Sequence, residues 1–102
     1  MDSVSINTKY RVLRADVGSL QKGTIRREIL EHLLDRCSIT SLEALGVYGT
    51  QRVAARIMEL RSMGVEITSD RRADSMGKRY VKYLLRPGQV RRIRTLLKRL
   101  DS

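Results

Sequence analysis

Between Thr50 and Arg56 the sequence TQRVAAR sets hydrogen-bonding side chains around two alanines. A glutamine carboxamide carries a donor and an acceptor side by side, the pattern that pairs with adenine. A guanidinium presents a two-pronged donor edge that matches guanine. Gln51 offers the first, and Arg52 and Arg56 offer the second. Thr50 adds a hydroxyl, and Ala55 contributes by its smallness, which lets a helix approach the floor of a groove. The chemistry implied is recognition without bond making. Catalysis lacks its parts: there is one His and one Cys, no Ser-His-Asp or Cys-His set, and no phosphate-cradling glycine loop. No group of ligands stands at metal spacing, so no enzyme activity, metal or cofactor is expected.

Such residues need a helix to present them, and the stretch from Ile39 to Ile67 provides one. Thr40 and Glu43 have capping-box spacing, in which hydroxyl and carboxylate each satisfy an orphan amide at a helix start. Leu42 and Leu45 follow on one face, and Gly46 can take the left-handed conformation that ends a helix. Only Val47 and Tyr48 separate Gly46 from Gly49. Thr50 is then placed to cap a second helix, where Val53, Ala54, Ile57, Met58 and Leu60 recur at helical spacing. Gly64 stops that helix, and Val65 with Ile67 begins an alternating strand over Val65–Ser69. Arg79–Leu85 reads as its partner strand. Two helices across a glycine-bearing turn, followed by a hairpin, give a mainly α fold with a small β-hairpin: a winged helix-turn-helix.

The same stretch resembles the helix-turn-helix domains of small phage and prophage regulatory proteins. The resemblance is carried by Thr40, Glu43, Ala44, Gly49, Arg52, Val53, Ala54, Ala55, Arg56 and Ile57, and is completed by Leu60, Arg61, Gly64 and Ile67. Val53 stands where leucine is commoner. The resemblance covers the middle third to half of the chain and implies DNA binding and a mobile-element origin. It supplies neither an operator nor a partner.

Within the second helix, N-terminal residues are the ones that reach base edges. Ion pairing with Glu43, Glu59 or Asp35 is the alternative for Arg56 and Arg61; it is preferred for Arg61, and nucleic-acid contact for Arg52 and Arg56. The ten residues from Asp70 to Arg79 read as a long connection, mobile without a partner. Arg71, Arg72, Lys78 and Arg79 there suit a phosphate backbone or minor groove. Because Asp70 and Asp74 offset Arg71 and Arg72, Lys78 and Arg79 are preferred.

The flanks complete three segments: an arm or extra strand over 1–23, the winged domain over 24–86, and a basic amphipathic helix over 87–102. Lys9–Ala15 reads as a strand or short helix, either packed on the domain or reaching a minor groove, with packing preferred. Thr24 caps a scaffold helix to Arg36, with Ile25, Ile29, Leu30, Leu33 and Leu34 inward and Arg26, Arg27, Glu31 and Asp35 outward. His32 is expected to be structural and partly exposed, and Cys37 a small apolar filler. Pro87 opens the last helix. Its stripe of Val90, Ile93, Leu96, Leu97 and Leu100 leaves Arg91 and Arg92 for phosphate contact. The stripe docks on its own domain, pairs with a twin in a homodimer, or lies on an anionic membrane, ranked in that order.

At 102 residues the chain has room for one small domain, and its core must be aliphatic, since it has neither Trp nor Phe. No apolar run approaches a membrane span, residues 1–20 lack a signal peptide's apolar segment, and the lone cysteine suits a reducing cytoplasm. Opening with Met1 and closing in a polar tail, the chain is expected to be complete. A net charge of +10 points to a polyanion. Its distribution is uneven: residues 41–77 carry five basic and five acidic groups, whereas 78–102 carry nine basic groups against Asp101 alone. The expected partner is double-stranded DNA in a bacterial host cytoplasm, at the nucleoid when bound. The alternative is a module that binds a host protein or serves recombination or replication, with RNA a weaker third choice.

Overall fold

The computed structural model describes residues 20–102, so the arm at Lys9–Ala15 lies outside the described residues. The chain runs through α1 (Ile25–Arg36), β1 (Ser38–Thr40), α2 (Ser41–Tyr48), α3 (Val53–Ser62), β2 (Ile67–Ala73) and β3 (Arg79–Leu85). A 3-10 turn at Pro87–Gln89 then leads into α4 (Val90–Asp101).

α1 starts where the sequence predicts, with the Thr24 hydroxyl accepting from the Arg27 amide at 3.1 Å. It buries Ile29, Leu30, Leu33 and Leu34. Arg27 does not face outward: it is 3% exposed. Its guanidinium donates to both Asp101 carboxylate oxygens at 3.0 and 2.6 Å, to Glu31 at 2.8 Å and to the Leu20 carbonyl at 2.9 Å. Helical spacing gave no sign of this, because the decisive partner arrives on α4. Cys37 is exposed rather than a filler, and closes α1 in the left-handed region at φ 68° while its amide donates to the Leu33 carbonyl. His32 is partly exposed and shares a 2.7 Å hydrogen bond with the Tyr48 hydroxyl.

The capping box of Thr40 and Glu43 is present in both directions. α2 then runs through Gly46 and ends at Gly49, whose φ is 69°. Glycine within a helix is a tolerable loss, and the stronger stop lies three residues on. The core side of α2 is Ala44, while Leu42 and Leu45 point to solvent.

The sheet has the antiparallel order β1-β3-β2. β1 was not expected, since three residues are too few to show alternation; it pairs Ser38, Ile39 and Thr40 with Leu84, Tyr83 and Lys82. The long mobile connection is also replaced by something tighter. β2 continues through Arg71 and Arg72, which pair with Val81 and Tyr80. Only Asp74–Lys78 turns the chain. The Asp74 carboxylate accepts from the Met76 and Lys78 amides at 2.9 and 2.8 Å, and Gly77 takes φ 81°. Asp74 is thus a turn former, not an offset for an arginine.

α4 docks on its own domain, the first of the three readings: Ile93 and Leu97 are buried, and Val90, Leu96 and Leu100 pack against the core. Arg94 donates to the Leu34 carbonyl at 3.0 Å. Ahead of α4, buried Gln89 accepts from the Glu66 amide at 2.7 Å and donates to the Gly64 carbonyl at 3.2 Å. None of the described helices is long and apolar enough to cross a membrane.

Candidate nucleic-acid interface

Three residues, Thr50–Arg52, lead into α3 rather than lying inside it. Arg52 is the N-cap and no side chain caps the helix. The Thr50 hydroxyl instead accepts from the Arg52 amide at 3.1 Å, which tightens the turn. Gln51 and Arg52 are exposed, and Arg52 has no ion-pair partner among the described residues. This is the end of the helix from which a groove is read in helix-turn-helix folds.

Along α3, Val53, Ile57 and Leu60 face the core as their spacing predicts. Ala54 does not accompany them. One residue rotates a helix by about 100°, which carries Ala54 out of the core and into solvent. Ala55 is exposed, and Met58 is 63% exposed. Arg56, expected at a base edge, is drawn sideways. Its Nη1 lies 3.3 Å from Glu59, and that carboxylate also takes the Arg26 guanidinium at 2.6 Å. The Arg56 Nε is buried with no hydrogen-bond partner among the described residues. Of the alternatives for Arg56, the ion pair with Glu59 is the one present.

Arg61 is structural, though not through the acids expected of it. Its Nε donates to the Ile67 carbonyl and its Nη2 to the Ser69 hydroxyl, each at 2.9 Å. It ties the C-terminal end of α3 to the first wing strand.

On the wing, residues paired across antiparallel strands point to the same face. Ile67 and Leu85 are buried, so the face continuing through Ser69, Arg71, Val81 and Arg79 is the one toward α3. Arg71 and Arg79 stand there, exposed, with Lys78 in the turn; none of the three has an ion-pair partner among the described residues. Arg72 lies on the other face beside Tyr80, and Asp70 holds it at 2.8 Å. That hydrogen bond raises the Arg72 pKa and keeps the charge in place. Arg71 is consequently freer than its neighbour, a distinction that the alternation of two strands makes and composition cannot. Arg91 and Arg92 are exposed on α4, whose docking contacts with α1 run through Arg94 and Asp101.

One residue of structural weight for this surface has no local sequence signal: Gln89, which anchors the root of the wing. Glu59, which holds Arg56, does have one in its i, i+3 spacing, and is among the acids expected to pair with it.

No curated protein and no solved structure matches the chain. A family model described as a winged helix-turn-helix domain matches residues 24–87. That span is more than half of the chain and takes in α1 through β3, including the helix pair and the wing whose geometry is described above. Such a domain suggests DNA binding, and the chain belongs to the winged helix-turn-helix domain family.

Proposed function

We propose that the protein binds double-stranded DNA in a sequence-specific manner and regulates transcription, as the phage and prophage regulators resembled by its central stretch do. α3 enters the major groove, with Gln51 and Arg52 leading. Arg71, Lys78 and Arg79 meet the phosphate backbone, and Arg91 and Arg92 add backbone charge from α4. The role is binding rather than catalysis, in the cytoplasm of a bacterial host. One observation carries this reading. The side of residues 51–58 turned away from the core is uncovered, with Gln51, Arg52, Ala54, Ala55 and Met58 all exposed.

Selection from a random duplex library followed by gel-shift titration tests it. An enriched motif is expected, with affinity falling by about 0.9 log units per log unit of salt for each phosphate contacted. Arg52→Ala relaxes preference at one base pair, by roughly tenfold for a lost bidentate contact. Lys78→Ala and Arg79→Ala weaken every duplex alike. A library that yields no motif overturns the reading. A polypeptide partner is then the better account, because α2 exposes an apolar surface of Leu42, at 79%, with Leu45 and Val47.

A further inference from the structure

We infer that the body of α3 reads thymine, by contact of Ala54, Ala55 and Met58 with the C5 methyl groups in the major groove, and does not read guanine through Arg56. This rests on the DNA-binding reading above and adds to it the base that the helix selects.

The argument begins with which side of α3 is free. Val53, Ile57 and Leu60 fix the core side. Opposite them lie Ala55, Met58 and Ser62, flanked by Ala54, and all four are exposed. None carries a charge; Glu59, which borders them beside Ala55, is neutralised by Arg26 and Arg56. The one hydroxyl among them is in use, since Ser62 donates to the Glu59 carbonyl at 2.6 Å. Both arginines of the helix stand on its flanks and are engaged: Arg56 with Glu59, and Arg61 with Ile67 and Ser69. The carboxylate that holds Arg56 is itself fixed in place by Arg26 from α1. With its donors withdrawn, the helix body offers methyl and methylene groups.

The major groove has one matching feature. Each base pair displays hydrogen-bond donors and acceptors there, but only thymine displays a methyl group. An apolar face laid on guanine or cytosine would strip water from their polar edges and return nothing, whereas against thymine it buries carbon on carbon. Two alanines let the backbone come close, and the unbranched thioether of Met58 adapts to an uneven floor. The charges around this face identify the occupant. Arg52 stands at its leading end, and Arg71, Lys78 and Arg79 are exposed on the adjoining wing. An apolar strip set among exposed cations suits a polyanion with methyl groups in its groove.

The test uses the full chain and the duplex selected above, with each thymine of the motif replaced in turn by uracil, which lacks only that methyl. Affinity is expected to fall about fourfold at one to three positions, the factor that corresponds to about 0.8 kcal/mol for one buried carbon. Met58→Ala should erase that sensitivity at one of those positions, so that its thymine and uracil duplexes bind alike, while the sensitivity at the other positions remains. Because Met58 is exposed, this variant keeps the fold. A motif whose uracil-substituted forms all bind like the parent overturns the thymine inference and leaves DNA binding standing. A library with no motif removes both.

Discussion

Cys37 holds a position usually given to glycine. A left-handed backbone brings the Cβ of an L-residue close to the following carbonyl, at about 1–2 kcal/mol. The exposed thiol has no packing role to offset that strain. Cys37→Gly should therefore stabilise the protein, by about 0.5–1 kcal/mol once the extra freedom of glycine in the unfolded chain is subtracted. Urea unfolding measures it, and a loss of stability would mean that the side chain holds something at the α1–β1 junction. Local chemistry was legible at this scale, and long-range chemistry was not. The Thr40–Glu43 box and the Thr24 cap are complete within four residues of sequence. Arg27 reads as an outward residue because the Asp101 carboxylate that permits its burial comes 74 residues later.

Among the elements, the wing is bound to α3 by Arg61. Replacing it with Met keeps the aliphatic stem over the same surface and removes both hydrogen bonds to β2. The expected outcome is a folded protein in which the Ser69–Ala73 amides exchange with solvent about tenfold faster, the opening free energy falling by the worth of a charged hydrogen bond. Unchanged exchange would show that strand pairing alone fixes the hairpin. Element boundaries were the weakest part of the sequence reading, for identifiable reasons. Gly46 reads as a stop but lies inside α2, because Gly49 supplies a better one. The DRRAD stretch reads as loop because its residues are charged, yet pairing with β3 makes most of it strand. β1 has three residues and no pattern of its own. The candidate site inherits these errors: the free face of α3 became clear only when Ala54 left the core and Glu59 claimed Arg56.

For the whole molecule, α4 closes the domain through Asp101 and Arg27. That hydrogen bond holds the Asp101 carboxyl below its ordinary value of 3.8. A carboxyl with a lowered folded pKa binds its proton less readily in the folded state than in the unfolded chain. Its stabilising contribution is thus complete above about pH 4 and lost as the pH falls through the lowered value. Asp101→Asn should lower Tm at pH 7 and make the remaining fall of Tm toward pH 3 shallower than in the wild type. Parallel curves for the two proteins would dismiss the clamp. Charge distribution is the global property most readable in advance, because it needs only counting; where that charge is fastened needed the fold. Seven of the nine cations after Gly77 ride on β3 and α4, a frame riveted at two points, by Gln89 to Gly64 and Glu66 and by Asp101 to Arg27. Residues 41–77 meanwhile sum to zero. Most of the charge after Gly77 is therefore carried on packed elements instead of a loose tail, and its long-range pull toward a polyanion acts on the folded body before any groove is felt.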